Sequence, residues 1–226
     1  FDDRRGDAIY GGRLSHRMSG LYEVGGSYLK EENDGNDFRE EYAADIWLSP
    51  LRWLSVQGTS TYNEVTSDWM EHTYRLSIGT ASIVRVYAEY SEVDYEHFFQ
   101  ATTSSAFSTA WINPDESYVS SGGGIEFILS VPVSFLARYR HYDYELSGEA
   151  DTFGGEVTFS GETVSAGVSA DRMDGDAEEL DYSLYRIFWS AAGESADLTL
   201  DVVQVIYDEE REGIDETVTA TGAIGF

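Results

Sequence analysis

Residues 217–226 read TVTATGAIGF, and this stretch decides how the rest of the chain is read. Val218, Ala220, Gly222, Ile224 and Phe226 alternate with Thr217, Thr219, Thr221, Ala223 and Gly225. A period of two marks a strand with unlike faces, because successive side chains leave a pleated backbone on opposite sides. The pattern repeats upstream. Tyr74, Leu76 and Ile78 alternate with Arg75 and Ser77, and Val84, Val86, Ala88 and Tyr90 with Arg85 and Glu89. Val133, Phe135, Ala137 and Tyr139 alternate with Ser134, Arg138 and Arg140.

Walking outward from these stretches gives about thirteen segments, at 7–18, 20–31, 37–49, 51–63, 70–80, 82–95, 117–131, 133–146, 152–160, 162–172, 180–191, 195–208 and 215–226. Their length suits a tilted strand crossing a bilayer, whereas strands of soluble sandwiches run nearer ~5–6 residues. In 226 residues, 42% hydrophobic, no stretch approaches the apolar length that a membrane helix needs. Sixteen Tyr, 22 Gly and only three Pro favour strands and tight turns. The fold expected is an antiparallel up-and-down transmembrane β-barrel of about 12–14 strands, forming a single domain over 1–226.

There is no cysteine, which excludes disulfides, thiolate ligands and haem attachment through cysteine. No signal peptide is visible from Phe1 onward, as expected of a mature or truncated chain. The net charge of −28 argues against a nucleic-acid partner, since phosphates would be repelled. It fits either a solvated acidic surface or a loop crown that binds divalent cations among lipopolysaccharide.

The connections are expected to be of two alternating kinds. Short turns fall near Ser19, Ser49, Ala81, Val131, Gly161 and Ala192; longer acidic connections fall at 32–36, 64–69, 96–116, 147–151, 173–179 and 209–214. Such sorting is what the two ends of an outer-membrane barrel show. With thirteen segments the first and last run in the same direction, whereas single-chain barrels have even strand counts. The expectation is therefore the C-terminal part of a longer barrel, or a complete one of 12 or 14 strands with one segment misjudged.

Alternation assigns the faces. Tyr22, Val24, Tyr28, Ile46, Leu48, Tyr74, Leu76, Ile78, Val84, Val86, Ile125, Phe127, Leu129, Phe135, Ile187, Trp189, Val218 and Ile224 should meet lipid. Arg13, Asp45, Arg75, Arg85, Glu89, Glu126, Arg138, Arg140, Glu156, Arg186 and Asp201 should face the lumen. These charges form either a bracing lattice of salt bridges or a ladder that sets ion selectivity. A hairpin turning at Pro132 would place Glu126 opposite Arg138 as a cross-strand pair.

Alternation is less clean at three places. Trp47 and Trp53 fall on the lumen side although they flank a turn, Val202–Tyr207 is apolar on both faces apart from Gln204, and Gly122, Gly123 and Gly124 form a run within a strand. A bulge in the second and close approach by another segment in the third would account for them. The 96–116 connection carries Phe98, Phe99, Phe107, Trp111 and Ile112, more aromatic surface than a solvated loop exposes, so it either folds into the barrel mouth or packs on neighbours outside.

Acidic clusters at Asp171, Asp174, Asp176, Glu178 and Glu179, and at Asp208, Glu209, Glu210 and Glu212, lack the ordered spacing of a calcium loop and read as solvated faces; no metal site or cofactor is expected. His16, His72, His97 and His141 are scattered without a recognisable Ser or Asp motif, so no catalytic residue is assigned and no enzyme is expected.

The last strand resembles the assembly signal of outer-membrane proteins, with Phe226 terminal and Ile224, Gly222, Ala220 and Val218 at alternate positions before it. That resemblance implies recognition by the barrel-assembly machinery and a place in the outer membrane, among its lipid and lipopolysaccharide. Taken whole, the chain resembles the porin-like barrels of Gram-negative bacteria, which implies passive passage of ions or small solutes. SYLKEENDGNDFREEYAADIWLSPLRWL and HFFQATTSSAF are similar in style to barrel components of delta-proteobacterial porin–cytochrome conduits. That narrower resemblance implies a sheath around a multihaem cytochrome whose haem ligands lie in the partner.

Overall fold

A computed structural model describes residues 8–33, 36–80, 83–94, 116–129, 132–177, 180–192, 197–211 and 214–225. They form thirteen strands: β1 Ala8–Met18, β2 Tyr22–Asn33, β3 Asn36–Leu51, β4 Leu54–Asn63, β5 Asp68–Thr80, β6 Val84–Val93, β7 Tyr118–Ile128, β8 Val133–Tyr144, β9 Gly148–Ser160, β10 Val164–Gly175, β11 Tyr182–Ala192, β12 Asp197–Arg211 and β13 Ile214–Gly225. Neighbours in sequence are neighbours in the sheet throughout, in the order β1 to β13. Each of the expected segments is a strand, with its ends displaced by a few residues. The fold is the antiparallel up-and-down fold of a barrel. The chain groups into two units, Phe1–Ser77 with Glu89–Ser120 and Ile78–Ala88 with Ser121–Phe226.

The connections correct one expectation. At the end that carries the acidic stretches, 94–117 and 176–181 are longer than every connection at the other end, as expected, but 34–35, 64–67, 145–147 and 212–213 are as short as 19–21, 52–53, 81–83, 129–132, 161–163 and 193–196 there. Acidic residues of the expected connections are strand rather than loop: Glu32 lies in β2, Glu149 and Asp151 in β9, and Asp174 in β10. A ladder that has started satisfies one more backbone N–H or C=O with each added residue, so pairing runs on past the apolar stretch. The 94–117 connection is long, but 95–115 lies outside the described residues, and so does the expected inward or outward fold of Phe98, Phe99, Phe107, Trp111 and Ile112.

Register keeps the expected lipid-facing residues together. In the first unit Tyr22 stands opposite Leu48 and Val24 opposite Ile46. In the second, Phe135 stands opposite Val157, Val168 opposite Ile187, and Trp189 opposite Leu200. This face is the exposed one. Val24, Ile46, Tyr74 and Leu76 in the first unit, and Val86, Phe127, Phe135, Val157, Val168 and Ile187 in the second, are all more than a third exposed. The buried residues lie on the opposite, charge-bearing face: Glu41, Asn63, Ser91 and Val93 in the first unit, Tyr142, Tyr144, Ala150, Met173, Tyr182 and Val205 in the second. Water-soluble proteins rarely expose so extensive an apolar surface; hydrocarbon is the solvent in which it costs nothing.

Burial on the inner face is graded along the strands. Glu41, Asn63, Val93, Tyr144, Ala150, Met173 and Tyr182 all lie in the half of their strand nearer the acidic end. In the second unit the loop before β11 contributes to this packing. A Cβ added at Gly175 would meet Leu180 Cβ at 2.5 Å and Ala150 Cβ at 3.1 Å, and Leu180 itself is 1% exposed. Tyr142 and Tyr144 stack at 5.5 Å, and Tyr182 meets Tyr207 edge-on at 6.1 Å.

Two irregularities have local causes. The β12–β13 register shifts between Ile206 and Arg211, at the end of the segment that is apolar on both faces. The glycine run in β7 is approached from both sides: a Cβ at Gly122 would lie 2.8 Å from Arg140 Cα, and one at Gly124 would lie 2.6 Å from the Ala137 carbonyl and 2.5 Å from the Tyr87 hydroxyl. An exposed apolar face in hydrocarbon predicts an asymmetry between neighbouring positions. Leu76→Arg is expected to lower the unfolding free energy by about 2–4 kcal/mol, whereas Ser77→Arg on the opposite face is expected to cost no more than ~0.5 kcal/mol. Guanidinium titration of the two variants in phospholipid bilayers measures both, and equal costs would refute the face assignment.

Candidate functional site

The inner face is organised by arginines, whose planar guanidinium matches a carboxylate in a two-pronged hydrogen bond. Two of the pairs skip a strand. In the first unit Arg13 on β1 reaches past β2 to Asp45 on β3, with Nη1–Oδ1 2.5 Å and Nη2–Oδ2 2.8 Å. Gly25, the β2 residue opposite Asp45, lies beneath the bridge. A Cβ there would stand 2.7 Å from Arg13 Nη2 and 2.8 Å from both Asp45 oxygens.

The second unit repeats the device. Arg138 on β8, Gly154 on β9 and Asp171 on β10 fall on one cross-strand line. Arg138 donates Nε–H to Asp171 Oδ1 at 2.7 Å and Nη2–H to Oδ2, and a Cβ on Gly154 would collide with the Asp171 carboxylate. Strands two apart are separated by roughly 9.5 Å; an arginine and an aspartate cover that distance only when little or nothing projects from the strand between them. On the outer face at the acidic end, Arg172 on β10 bonds Asp208 on β12 with two contacts of 2.5 Å, over the small Ser183 on β11.

The remaining inner-face charges pair with nearer partners. Arg186 grips Asp201 with Nη2–Oδ2 2.6 Å and Nε–Oδ1 2.9 Å, and its guanidinium carbon lies 5.2 Å from the Phe188 ring centre. Arg85 meets Glu126 at 3.1 Å and Arg75 meets Glu89 at 3.8 Å. Glu156 stands 3.9 Å from Arg138. Arg140 is buried, its guanidinium carbon 5.6 Å from the centre of the Tyr142 ring. The expected Glu126–Arg138 pair is not formed: Glu126 turns to β6 and Arg138 to β9 and β10.

Two aspartates expected to belong to solvated acidic clusters, Asp171 and Asp208, are instead arginine partners inside strands. No sequence signal marked them, because each bridge depends on the register of three strands at once. Among the described strand side chains on the inner face of the second unit, Arg85, Arg138, Arg140 and Arg186 stand against Glu126, Glu156, Asp171 and Asp201, four charges of each sign.

The outer face at the acidic end carries a belt of rings. Tyr10 donates to Glu32 at 3.0 Å and Tyr28 to Glu40 at 2.9 Å; Tyr90 donates to Glu92 at 2.8 Å, and Tyr139 to Asp151 at 2.7 Å. Amphipathic rings with wet hydroxyls are what the boundary of a membrane selects. Three histidines join this face. His16 lies 3.2 Å from the Tyr22 hydroxyl, and His141 lies 3.0 Å from Asp151. His72 lies 2.9 Å from Ser60 Oγ, stacked on Tyr74 and tilted against Trp69. Among the described residues no carboxylate orients the His72 ring, and Ser60 Oγ is shared with the Tyr74 hydroxyl at 2.9 Å. His97 lies outside the described residues. Trp47 is on the inner face, opposite Glu23 and Gln57, while Trp53 is exposed in its turn.

In β13, Val218, Ala220, Gly222 and Ile224 pair with Gln204, Val202, Leu200 and Leu198, so the alternating set is in register with the outer face of β12. Phe226 lies outside the described residues.

Among solved structures, the chain is similar to an anion-selective porin from Comamonas acidovorans, with a TM-score of 0.51 at 8% identity over 96% of this chain and 84% of that one. It also aligns with OccK11 (OpdR) from Pseudomonas aeruginosa, with a TM-score of 0.47 at 11% identity over 90% of this chain and 79% of that one. No protein-family model matches, and no curated protein does. At this identity the likeness is one of fold: the chain has the antiparallel β-barrel fold of outer-membrane porins.

The bridge over Gly154 can be tested by a double-mutant cycle. Gly154→Ala is expected to cost about 1–3 kcal/mol in the wild-type background through overpacking. In an Asp171→Ala background, where the colliding carboxylate is gone, it should cost less, and unfolding in bilayers measures the coupling. Additive costs would show that the glycine serves some other purpose.

Proposed function

We propose that the chain forms a passive outer-membrane channel for ions and small solutes. The observation that carries this reading is the division of the sheet. Apolar side chains lie exposed on one face, and arginine–carboxylate pairs stand on the other. A wall greasy outside and ionic inside separates hydrocarbon from water, which is what a membrane channel requires. The porin-type fold supports the same reading and an outer-membrane location.

The partner that the exposed face calls for is lipid, and the Tyr10, Tyr28, Tyr90 and Tyr139 belt suits the level where headgroups begin. Delivery by the barrel-assembly machinery is proposed from the alternation of Val218, Ala220, Gly222 and Ile224 with Phe226. A channel rather than an enzyme is favoured, because the described histidines, His16, His72 and His141, lie among the rings of the outer face. No observation on the described residues favours a sheath around a cytochrome.

Purified protein inserted into planar lipid bilayers is expected to give stepwise, ohmic conductance without any added ligand. Folded protein that inserts but passes no current would overturn the proposal.

A further inference from the structure

We infer that the inner wall is charge-silent: it sorts solutes by size and not by the sign of their charge, so that small neutral polar solutes pass as readily as small ions. The inference rests on the channel reading above and names the solute class of that same wall.

Its basis is the pairing. On the described inner face of the second unit three arginines meet four carboxylates, Arg138 taking both Glu156 and Asp171, while the fourth arginine, Arg140, is buried; the solvent-accessible members come as contact pairs. Arg186 and Asp201, with side chains 44% and 32% exposed, are joined at 2.6 Å; Arg85 and Glu126, at 38% and 25%, are joined at 3.1 Å. In the first unit Arg13, 49% exposed, is matched by Asp45 at 2.5 Å. A lone charge 4 Å from a passing ion acts with about 1 kcal/mol even through water. A contact pair presents two such terms of opposite sign at nearly the same distance, and they largely cancel.

The chain's net charge of −28 is therefore not carried by these contact pairs. Acidic-end carboxylates such as Asp143, Glu149 and Asp174 are exposed. They act only over the screening length, which is about 10 Å at 0.1 M salt and about 3 Å at 1 M. A preference for cations that exists at low salt and vanishes at high salt is thus the signature of a charged rim on a silent wall. A wall that selects by sign keeps its preference, because its charges lie within contact distance of the ion.

Reversal potentials in KCl gradients held above ~0.5 M, where the rim is screened, decide the matter. The wild type is expected to show a K+/Cl− permeability ratio near unity. Asp201→Asn, which leaves Arg186 unmatched, should move the ratio toward anions by about twofold or more, and Arg186→Gln should move it toward cations. Combining both substitutions should restore the wild-type ratio. The Arg13–Asp45 pair offers the same series if either variant fails to show the heat-dependent gel shift of a folded barrel. In proteoliposome swelling at matched solute size, neutral sugars should enter as fast as charged solutes.

A wild-type ratio far from unity at high salt, or single substitutions that leave the ratio unmoved, would overturn the inference while leaving the channel intact. Absence of current from folded, inserted protein would remove the channel reading and this inference with it.

Discussion

Everything in this molecule follows from a backbone whose polar groups are satisfied by neighbouring strands, with side chains thrown alternately to two unlike surroundings. Inside hydrocarbon an unpaired N–H or C=O costs several kcal/mol, so each strand must pair along its whole length. Pairing in turn fixes the alternation, and the alternation puts Leu76, Phe135 and Ile187 on one side and Arg75, Arg138 and Arg186 on the other. The exposed face is the apolar one, the reverse of a water-soluble protein. The tight packing of Tyr142, Tyr144, Met173 and Tyr182 is found on the inner face.

That inner face faces a difficulty that the outer one does not. Arginines placed there need partners, and the strand spacing sets which partners are in reach. Nearest-neighbour pairs such as Arg186–Asp201 are one solution. The bridges from Arg13 to Asp45 and from Arg138 to Asp171 are another, and each ties three strands through two side chains. The intervening strand must contribute glycine, since any side chain at Gly25 or Gly154 would occupy the space of the carboxylate. Glycine weakens a strand locally; here the loss is offset by ion pairs that hold the outer two strands in register.

The acidic end obeys a different rule. Strands continue there past the apolar stretch, carrying Glu31, Glu40, Asp174 and Asp208 on paired backbone. Tyrosine hydroxyls donate to Glu40 and to other carboxylates at this end, so the boundary between ring and charge is drawn at the level of Tyr28–Glu40 and Tyr139–Asp151. Inner-face burial increases toward the same end. The chain is thus both most charged and most closely packed at one end of its strands.

Much of this was legible in the sequence. Period-two alternation is a property of each strand taken alone, so the number of strands, their approximate ends and the two faces could be read from TVTATGAIGF and its upstream counterparts. The lumen-side arginines and carboxylates followed for the same reason. What the sequence could not supply was which charge meets which. Arg138 looked like the partner of Glu126 across one hairpin, and Asp171 looked like part of a solvated cluster. The Arg138–Gly154–Asp171 line exists because two separate registers, β8 with β9 and β9 with β10, happen to bring those three residues abreast. Alternation determines the side of the sheet on which a residue stands; its neighbours along the hydrogen-bonding direction are decided by register, and register is a property of strands already paired.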